Sequence, residues 1–153
     1  MRNDIREKKM AQNKKLTRHE CREKTFMLLF AREFDKETPC ADFYDIQIEG
    51  NEEETNDTIK KNFLSVCEAV EDIDREIEAV SVKWKVSRMS TATRSMLRLA
   101  VWEMLIGGVP AKVAINEAVE IIKIYDDESA PAFLNGILNT IARSRDLITK
   151  AAE

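Results

Sequence analysis

The amino-acid sequence predicts an all-α domain of six or seven helices. The composition is 44% hydrophobic and 34% charged, which is too apolar for a disordered protein. Only four Gly and three Pro occur among 153 residues, too few turn formers for a many-stranded fold. From position 17 onward, apolar residues recur at helical spacing. At this length we expect one core, in a single domain over residues 17–150.

The chain begins with a segment of different composition. Residues 1–24 hold nine Lys or Arg against four acids, a net charge of +5, whereas the whole chain carries −4, which leaves −9 for the remainder. Residues 1–16 lack an apolar face, so we expect them to form a disordered basic arm. A basic arm on an acidic body is typical of a protein that brings one end to a polyanion. The alternative is a merely solvated leader.

The first half of the domain contains three amphipathic segments. Thr17, with Glu20 three residues later, matches a capping box and predicts a helix start. The stretch 35–57 holds nine acids against one Lys, which is typical of a loop with little packing surface. We therefore expect helices over about 17–34, within 43–48 and over 59–80, the last as one bent helix or as two helices that meet near residue 71.

The second half predicts three more helices. Residues 90–107 are apolar on nearly every side, as expected for a central, buried helix. Gly107, Gly108 and Pro110 should end it, because Gly permits a left-handed turn and Pro cannot continue the helix. A further amphipathic helix should begin near residue 111. The last helix should begin at Ser129, which is a good N-cap with a Pro in the following turn.

Several classes of function are excluded or disfavoured by the composition. No apolar run approaches the roughly 20 residues of a membrane span. No secretory core follows the charged N-terminus, so we expect a cytoplasmic protein whose mature chain starts at Met1. Three widely spaced cysteines and one histidine argue against a disulfide framework and against a metal site. No phosphate-binding loop or dinucleotide motif occurs, so we expect no cofactor, no catalytic residues and no enzymatic activity.

Four linked motifs carry a resemblance to a known family. The sequence VAINEAVE at 113–120 is followed by FLNGIL at 133–138, and RE at 22–23 precedes LLF at 28–30. In addition, LRLA at 97–100 precedes a Glu and a Val-Pro turn. Over about residues 17–143 the chain resembles the NusB family of bacterial transcription antitermination factors. The resemblance implies two packed helical bundles, binding to single-stranded boxA-like RNA of ribosomal RNA leaders, pairing with ribosomal protein NusE, and indirect contact with the RNA polymerase elongation complex.

The resemblance also implies which residues contact RNA. In the family, a basic start of the first helix meets RNA, and the Phe-Val-Asn-Gly motif provides an aromatic ring and an amide for an unpaired base. The matching positions here include Arg18, His19 and Arg22 at the helix start and Phe133 and Asn135 in the later motif. Lys14 and Lys15, just upstream, are expected to add point charges in place of arginines that many relatives have. The alternative for Phe133 is a place in the core, with Asn135 and Gly136 allowing close helix packing.

The protein-partner site implied by the resemblance lies at the end of the first helix and the start of the central helix. Its residues are Phe30, Phe34, Thr93 and Arg94. A large aromatic side chain beside a charged loop suits an interface anchor, although both Phe side chains could instead cap the local core. The sequence departs from the family at 125–129, where YDDES replaces a Gly and an acidic pair and adds negative charge.

These observations favour a non-enzymatic RNA-binding adaptor. Phosphate contacts from the arm would supply affinity, and stacked bases would supply preference. One alternative is a helical protein-interaction or homodimer module that does not bind RNA, so RNA binding separates the two hypotheses. Another is the RNA-binding appendage of a methyltransferase, although this chain has no cofactor motif.

Overall fold

The computed structural model describes residues 15–148, and within that range the chain forms six α-helices and no strand. The helices are α1 Arg18–Arg32, α2 Cys40–Ile48, α3 Asp57–Val80, α4 Thr91–Leu105, α5 Ala111–Tyr125 and α6 Ala130–Ser144. Two single 3₁₀ turns, Glu52–Glu54 and Val86–Arg88, precede α3 and α4. The all-α prediction is therefore confirmed. No helix in the described part is long and apolar enough to cross a membrane. The expected arm, residues 1–16, lies almost entirely outside the described residues.

The six helices pack as two groups of three, as the resemblance implied. Helices α1, α2 and α3 all contact one another, and so do α4, α5 and α6. Contacts of α1 and α3 with α4, and of α3 with α6, join the groups. Helix α4 is central because apolar residues lie on nearly every side of it and are covered by the other helices. Met96, Leu97 and Ala100 are fully buried. The predicted central helix is therefore confirmed.

Local hydrogen bonds fix where the helices begin. The Thr17 hydroxyl accepts the Glu20 N–H at 3.0 Å, and the Glu20 carboxylate accepts the Thr17 N–H at 3.1 Å, so the predicted capping box forms. Side chains of Asn56 and Ser90 cap α3 and α4 in the same way, by accepting N–H groups of the first turn. These caps satisfy donors that have no partner inside the helix.

Ser129 does not cap α6, so that prediction is wrong. Ser129 has helical backbone angles and its side chain accepts no capping hydrogen bond. Instead, the Asp127 carboxylate accepts the N–H groups of Ser129 at 3.0 Å and Ala130 at 3.2 Å. It also accepts the Ser129 hydroxyl at 2.6 Å. The charged acceptor two residues earlier is the stronger one, because hydrogen bonds to ionised groups are shorter and stronger.

Residues 57–80 form one helix, which was one of the two predicted alternatives, whereas the end of α1 differs from expectation. Helix α3 is continuous from Asp57 to Val80, because Glu71 and Asp72 lie on its exposed face while Ile73 continues the buried one. Helix α1 ends at Arg32. Phe34 therefore lies in the turn after α1, where its N–H donates to the Ala31 carbonyl at 3.1 Å.

The turn between α4 and α5 depends on two glycines. Gly108 has a φ of +71°, which an L side chain rarely adopts. A Cβ atom on Gly107 would lie 2.8 Å from the Trp102 ring, so a side chain there would force the ring or the backbone to move. The predicted stop of the central helix is confirmed, and α5 begins directly after Pro110.

Candidate functional site

The basic start of α1 is exposed to solvent. Lys15 and Arg18 are both exposed, and the Arg18 side chain forms no ion pair with any described residue. His19 is also exposed, although its Nδ1 lies 2.5 Å from Glu117 Oε2 and its Nε2 lies 3.8 Å from Glu23 Oε2. Lys14 lies outside the described residues. Lys15 and Arg18 are therefore exposed to solvent, where a polyanion could approach.

Arg22 is directed inward, which corrects its assignment as an RNA contact. Its Nε and Nη2 donate to the Glu103 carboxylate at 2.8 and 2.7 Å, a two-pronged contact between α1 and α4. Its Nη1 lies 3.7 Å from Glu117 Oε2 on α5. Only 9% of the Arg22 side chain and 6% of the Glu103 side chain are exposed. Burial alone would lower the pKa of Arg22, but the hydrogen bond and charge of Glu103 outweigh it and raise that pKa. Arg22 thus holds three helices together.

A second group of ion pairs links the C-terminal end of α1 to α3 and α4. Glu33 Oε1 accepts a hydrogen bond from Arg94 Nε at 2.9 Å and another from Arg98, and Lys36 Nζ lies 3.0 Å from Glu33 Oε2. Arg98 also binds the Asp74 carboxylate on α3 through two nitrogens, at 2.8 and 2.9 Å. Burial raises the pKa of Glu33, but the Lys36 hydrogen bond and the charges of Arg98 and Arg94 lower it overall.

The candidate partner residues differ in exposure. The Phe34 side chain is 74% exposed, so it is not part of the core. Phe30 is half-buried and packs against the core, with its ring centroid 5.5 Å from that of Phe34 in an edge-on arrangement. Arg94 is largely covered and paired with Glu33. Phe34 is therefore an exposed apolar side chain just after the end of α1.

Phe133 and Thr93 line the same groove, although the resemblance assigned them to different ligands. The groove has a volume of about 400 Å³ and also contains Trp84, Arg88 and Asp126. Thr93 is buried, and its hydroxyl donates to Asp126 Oδ2 at 2.7 Å. Burial raises the pKa of Asp126, but hydrogen bonds from the Ser90 and Thr93 hydroxyls outweigh it and lower that pKa. Thr93 therefore positions the loop after α5 and offers little surface of its own.

The structure does not bring Phe133 and Asn135 together. Residues two apart on a helix lie about 200° apart around its axis, on opposite flanks of the buried face of α6. Phe133 is half-buried and packs against the core. Asn135 is exposed, and its Oδ1 accepts a hydrogen bond from Asn139 at 3.0 Å. The expectation that one base contacts both side chains is wrong on this geometry.

The segment between α3 and α4 was not among the predicted site residues. Here one aromatic residue, Trp84, is flanked by Lys83 and Lys85, and Arg88 follows. Trp84 is 50% exposed and borders the groove beside Phe133. An exposed aromatic ring among cations is a signal for nucleic-acid binding that is visible in the sequence. The described part of the chain holds no group of three His, Cys, Asp or Glu side chains that could bind a metal ion.

Comparison with known proteins identifies the family. The sequence model of the NusB family matches residues 19–143, which is most of the chain. The chain belongs to the NusB family. A transcription antitermination protein NusB from Lachnoclostridium phytofermentans is 36% identical over 127 residues, covering 80% of this chain and 96% of that protein.

Solved NusB structures have the same fold. A structure of T. maritima NusB superimposes with a TM-score of 0.74 at 32% identity, covering 85% of this chain and 93% of that one. A crystal structure of the antitermination factors NusB and NusE with double-stranded RNA gives a TM-score of 0.72 at 25% identity. It covers 83% of this chain and 96% of the matched one.

The NusB motifs of this chain have a structural explanation. Arg22, Glu103 and Glu117 come from three separate motifs, and they form one buried or half-buried charge cluster between α1, α4 and α5. Arg98, from the LRLA motif, joins α4 to Glu33 and Asp74. Much of the sequence signal for the family therefore comes from contacts that fix helix packing.

Proposed function

We propose that this protein is a transcription antitermination factor that binds boxA-type leader RNA of ribosomal RNA operons together with ribosomal protein NusE. The observation that carries the proposal is the likeness, over 83% of the chain, to a NusB that was solved with NusE and RNA. Bound to both, the protein would hold them near the elongating RNA polymerase and so support processive transcription. We further infer that it acts in the cytoplasm as an adaptor and not as an enzyme. The names of its relatives support that inference.

The RNA surface that we propose extends from the start of α1 to the α6 groove. Lys15 and Arg18, with Lys14 next to them in the sequence, supply positive charge for phosphates, and the exposed His19 ring lies beside them. The half-buried ring of Phe133 supplies a surface on which an unpaired base can stack. Arg22 is not retained, because its guanidinium is covered and paired. Asn135 is exposed on the other flank of α6, so any RNA contact it makes is separate from that of Phe133.

The NusE surface that we propose is centred on Phe34. Its exposed ring, supported edge-on by Phe30, is an apolar anchor beside charged residues, an arrangement that suits a binding hot spot. Arg94 and Glu33 form an ion pair beside it, which fixes the end of α1 against α4. Thr93 contributes by positioning Asp126 and the loop after α5.

The test of the proposed function is a salt series of binding to a short boxA-like RNA. We expect tight binding to the single strand, weaker binding to a duplex of the same sequence, and a gain in affinity when NusE is added. Fluorescence anisotropy with labelled RNA measures all three. Absence of RNA binding, with self-association or NusE binding intact, would instead support a protein-interaction or homodimer module.

Removing the exposed cations should change the salt dependence. In the variant Lys15→Ala with Arg18→Ala, we expect weaker RNA binding and a less steep plot of log affinity against log salt. Each lost phosphate contact should reduce the slope by roughly 0.7 for single-stranded RNA, because fewer counterions are released. Lys61→Ala removes an exposed cation of α3 and serves as the matched control. An unchanged slope in the double variant would contradict the assignment.

Removing the Phe34 ring should affect only the protein partner. We expect Phe34→Ala to weaken NusE binding by about tenfold or more, since truncating an anchor residue costs about 2 kcal/mol. The affinity for RNA alone and the helical circular dichroism signal should stay close to wild type, because the ring is exposed. Isothermal titration with NusE measures the loss, and Ile46→Ala, an exposed apolar residue of α2, is the control. A parallel loss of RNA binding would refute separate surfaces.

A further inference from the structure

Two of the three cysteines meet where α2 packs on α3. Cys40 is the first residue of α2, and Cys67 lies near the middle of α3. Both are free thiols and both are half-buried. They line one groove of about 270 Å³, together with Arg32 and Arg98. The fold therefore brings together two thiols that lie far apart in the sequence.

Contacts of aromatic residues show that α2 and α3 run antiparallel. The Tyr44 hydroxyl hydrogen-bonds the Thr55 hydroxyl just before α3, and Lys60 Nζ lies 5.5 Å from the centroid of the Tyr44 ring. One residue earlier in α2, the Phe43 ring stacks on Phe63 with centroids 5.9 Å apart. Moving toward the start of α2 thus leads toward the end of α3.

The same register places Cys40 opposite Cys67. Cys40 precedes Phe43 by three residues, and Cys67 follows Phe63 by four, so each thiol shares a helix face with its aromatic neighbour. In an antiparallel pair, the residue one turn before Phe43 on α2 and the residue one turn after Phe63 on α3 lie next to each other. The stacked rings therefore lie one helical turn from the two thiols on both helices.

The two thiols differ in their surroundings. Burial, and then the neighbouring Cys40 thiol, raise the pKa of Cys67 to about 12, so Cys67 stays protonated at neutral pH. Cys40 is the first residue of α2 and lines the same groove. Because the raised pKa of Cys67 makes it the poorer nucleophile, Cys40 is assigned the first reaction and Cys67 resolves the oxidised Cys40.

We propose that Cys40 and Cys67 are a modification site at which a hydroperoxide forms an intramolecular disulfide. The Cys40 thiolate attacks one peroxide oxygen and the O–O bond breaks, which gives a sulfenic acid and an alkoxide, or hydroxide when the oxidant is hydrogen peroxide. The Cys67 sulfur then attacks the sulfenic sulfur. The S–S bond forms, the S–O bond breaks, and the hydroxyl group leaves with the Cys67 proton as water. The two thiols are oxidised and the peroxide is reduced, and a thiol reductant reverses the change.

The disulfide crosslinks α2 to α3 next to the ion pairs at the C-terminal end of α1. The groove shared by the thiols contains Glu33 and Arg98, and Glu33 also pairs with Arg94 next to the exposed Phe34. A crosslink that closes the chain between residues 40 and 67 restricts the unfolded state and so stabilises the fold. Oxidation thus makes the three-helix group that carries Phe34 harder to unfold.

The test oxidises the full-length protein with hydrogen peroxide, alkylates the remaining thiols and maps peptides without reduction. We expect one intramolecular crosslink between Cys40 and Cys67, alkylation of Cys21, and a midpoint of thermal unfolding raised by several degrees. Dithiothreitol should reverse all three results. Cys21→Ser should form the same crosslink and is the matched control. Cys40→Ser and Cys67→Ser should each abolish it, and either one suffices if the other does not fold.

Several outcomes would overturn the proposal. One is a crosslink that includes Cys21 or joins two molecules. Another is oxidation of Cys40 to a sulfinic acid with Cys67 still alkylated. A third is full alkylation of all three cysteines after peroxide treatment, which would mean that the thiols do not meet in solution.

Discussion

Replacing Glu103 by Gln is expected to destabilise the protein by about 3 to 5 kcal/mol, because it removes one partner of a buried ion pair and leaves the other charge behind. Arg22, whose side chain is 9% exposed, would keep only Glu117 as a partner, with the Glu117 carboxylate 3.7 Å from Nη1. Urea unfolding followed by circular dichroism measures the effect. Glu54→Gln removes an exposed carboxylate 3.9 Å from Lys24, so we expect little change in that control.

Two further variants separate the structural role of Arg22 from an RNA contact. Arg22→Ala should also destabilise the fold, while the folded fraction keeps the wild-type salt dependence of RNA binding. Replacing both Arg22 and Glu103 by Met should cost less than the sum of the two single changes, since no unpaired charge stays buried. A stable Arg22→Ala variant with a reduced salt slope would restore Arg22 to the RNA surface.

Phe133→Ala is expected to lower RNA affinity by roughly tenfold or more, because a stacked base contributes about 1 to 3 kcal/mol. A fully buried Phe costs about 3 to 5 kcal/mol of folding stability when it is truncated, and Phe133 is only half-buried. We therefore expect a smaller shift in the denaturation midpoint than for Phe63→Ala, which removes a fully buried ring. RNA anisotropy and urea unfolding on the same samples measure the two effects.

Conservative changes test whether Phe133 acts by stacking. Phe133→Tyr and Phe133→Trp should largely restore RNA binding, because either ring can stack on a base. Asn135→Ala should have a smaller effect, since Asn135 lies on the opposite flank of α6. A large loss of stability in Phe133→Ala, with unchanged RNA affinity in the folded fraction, would make Phe133 a core residue.

The positions of the helices could be predicted from the sequence, because the signals for helix ends and for buried faces are local. The capping box of Thr17 and Glu20 and the left-handed turn at Gly108 involve residues within a few positions of each other, so a linear pattern reveals them. The central position of α4 was also predictable, because apolar residues cover nearly every side of this helix and such a helix must be buried. The linked motifs, read together, indicated the NusB family before any packing was known.

Which of the predicted site residues are exposed depends on packing between helices, which the sequence pattern does not show. Arg18 and Arg22 are four residues apart on one face of α1, so helical spacing alone predicts the same exposure for both. They differ because Glu103 of α4 lies opposite Arg22, whereas no described residue forms an ion pair with Arg18. In the same way, the Thr93 hydroxyl is hydrogen-bonded to Asp126, which lies 33 residues away in the sequence. Side-chain partners across helices depend on where two helices cross, and helical spacing within one segment carries no information about that.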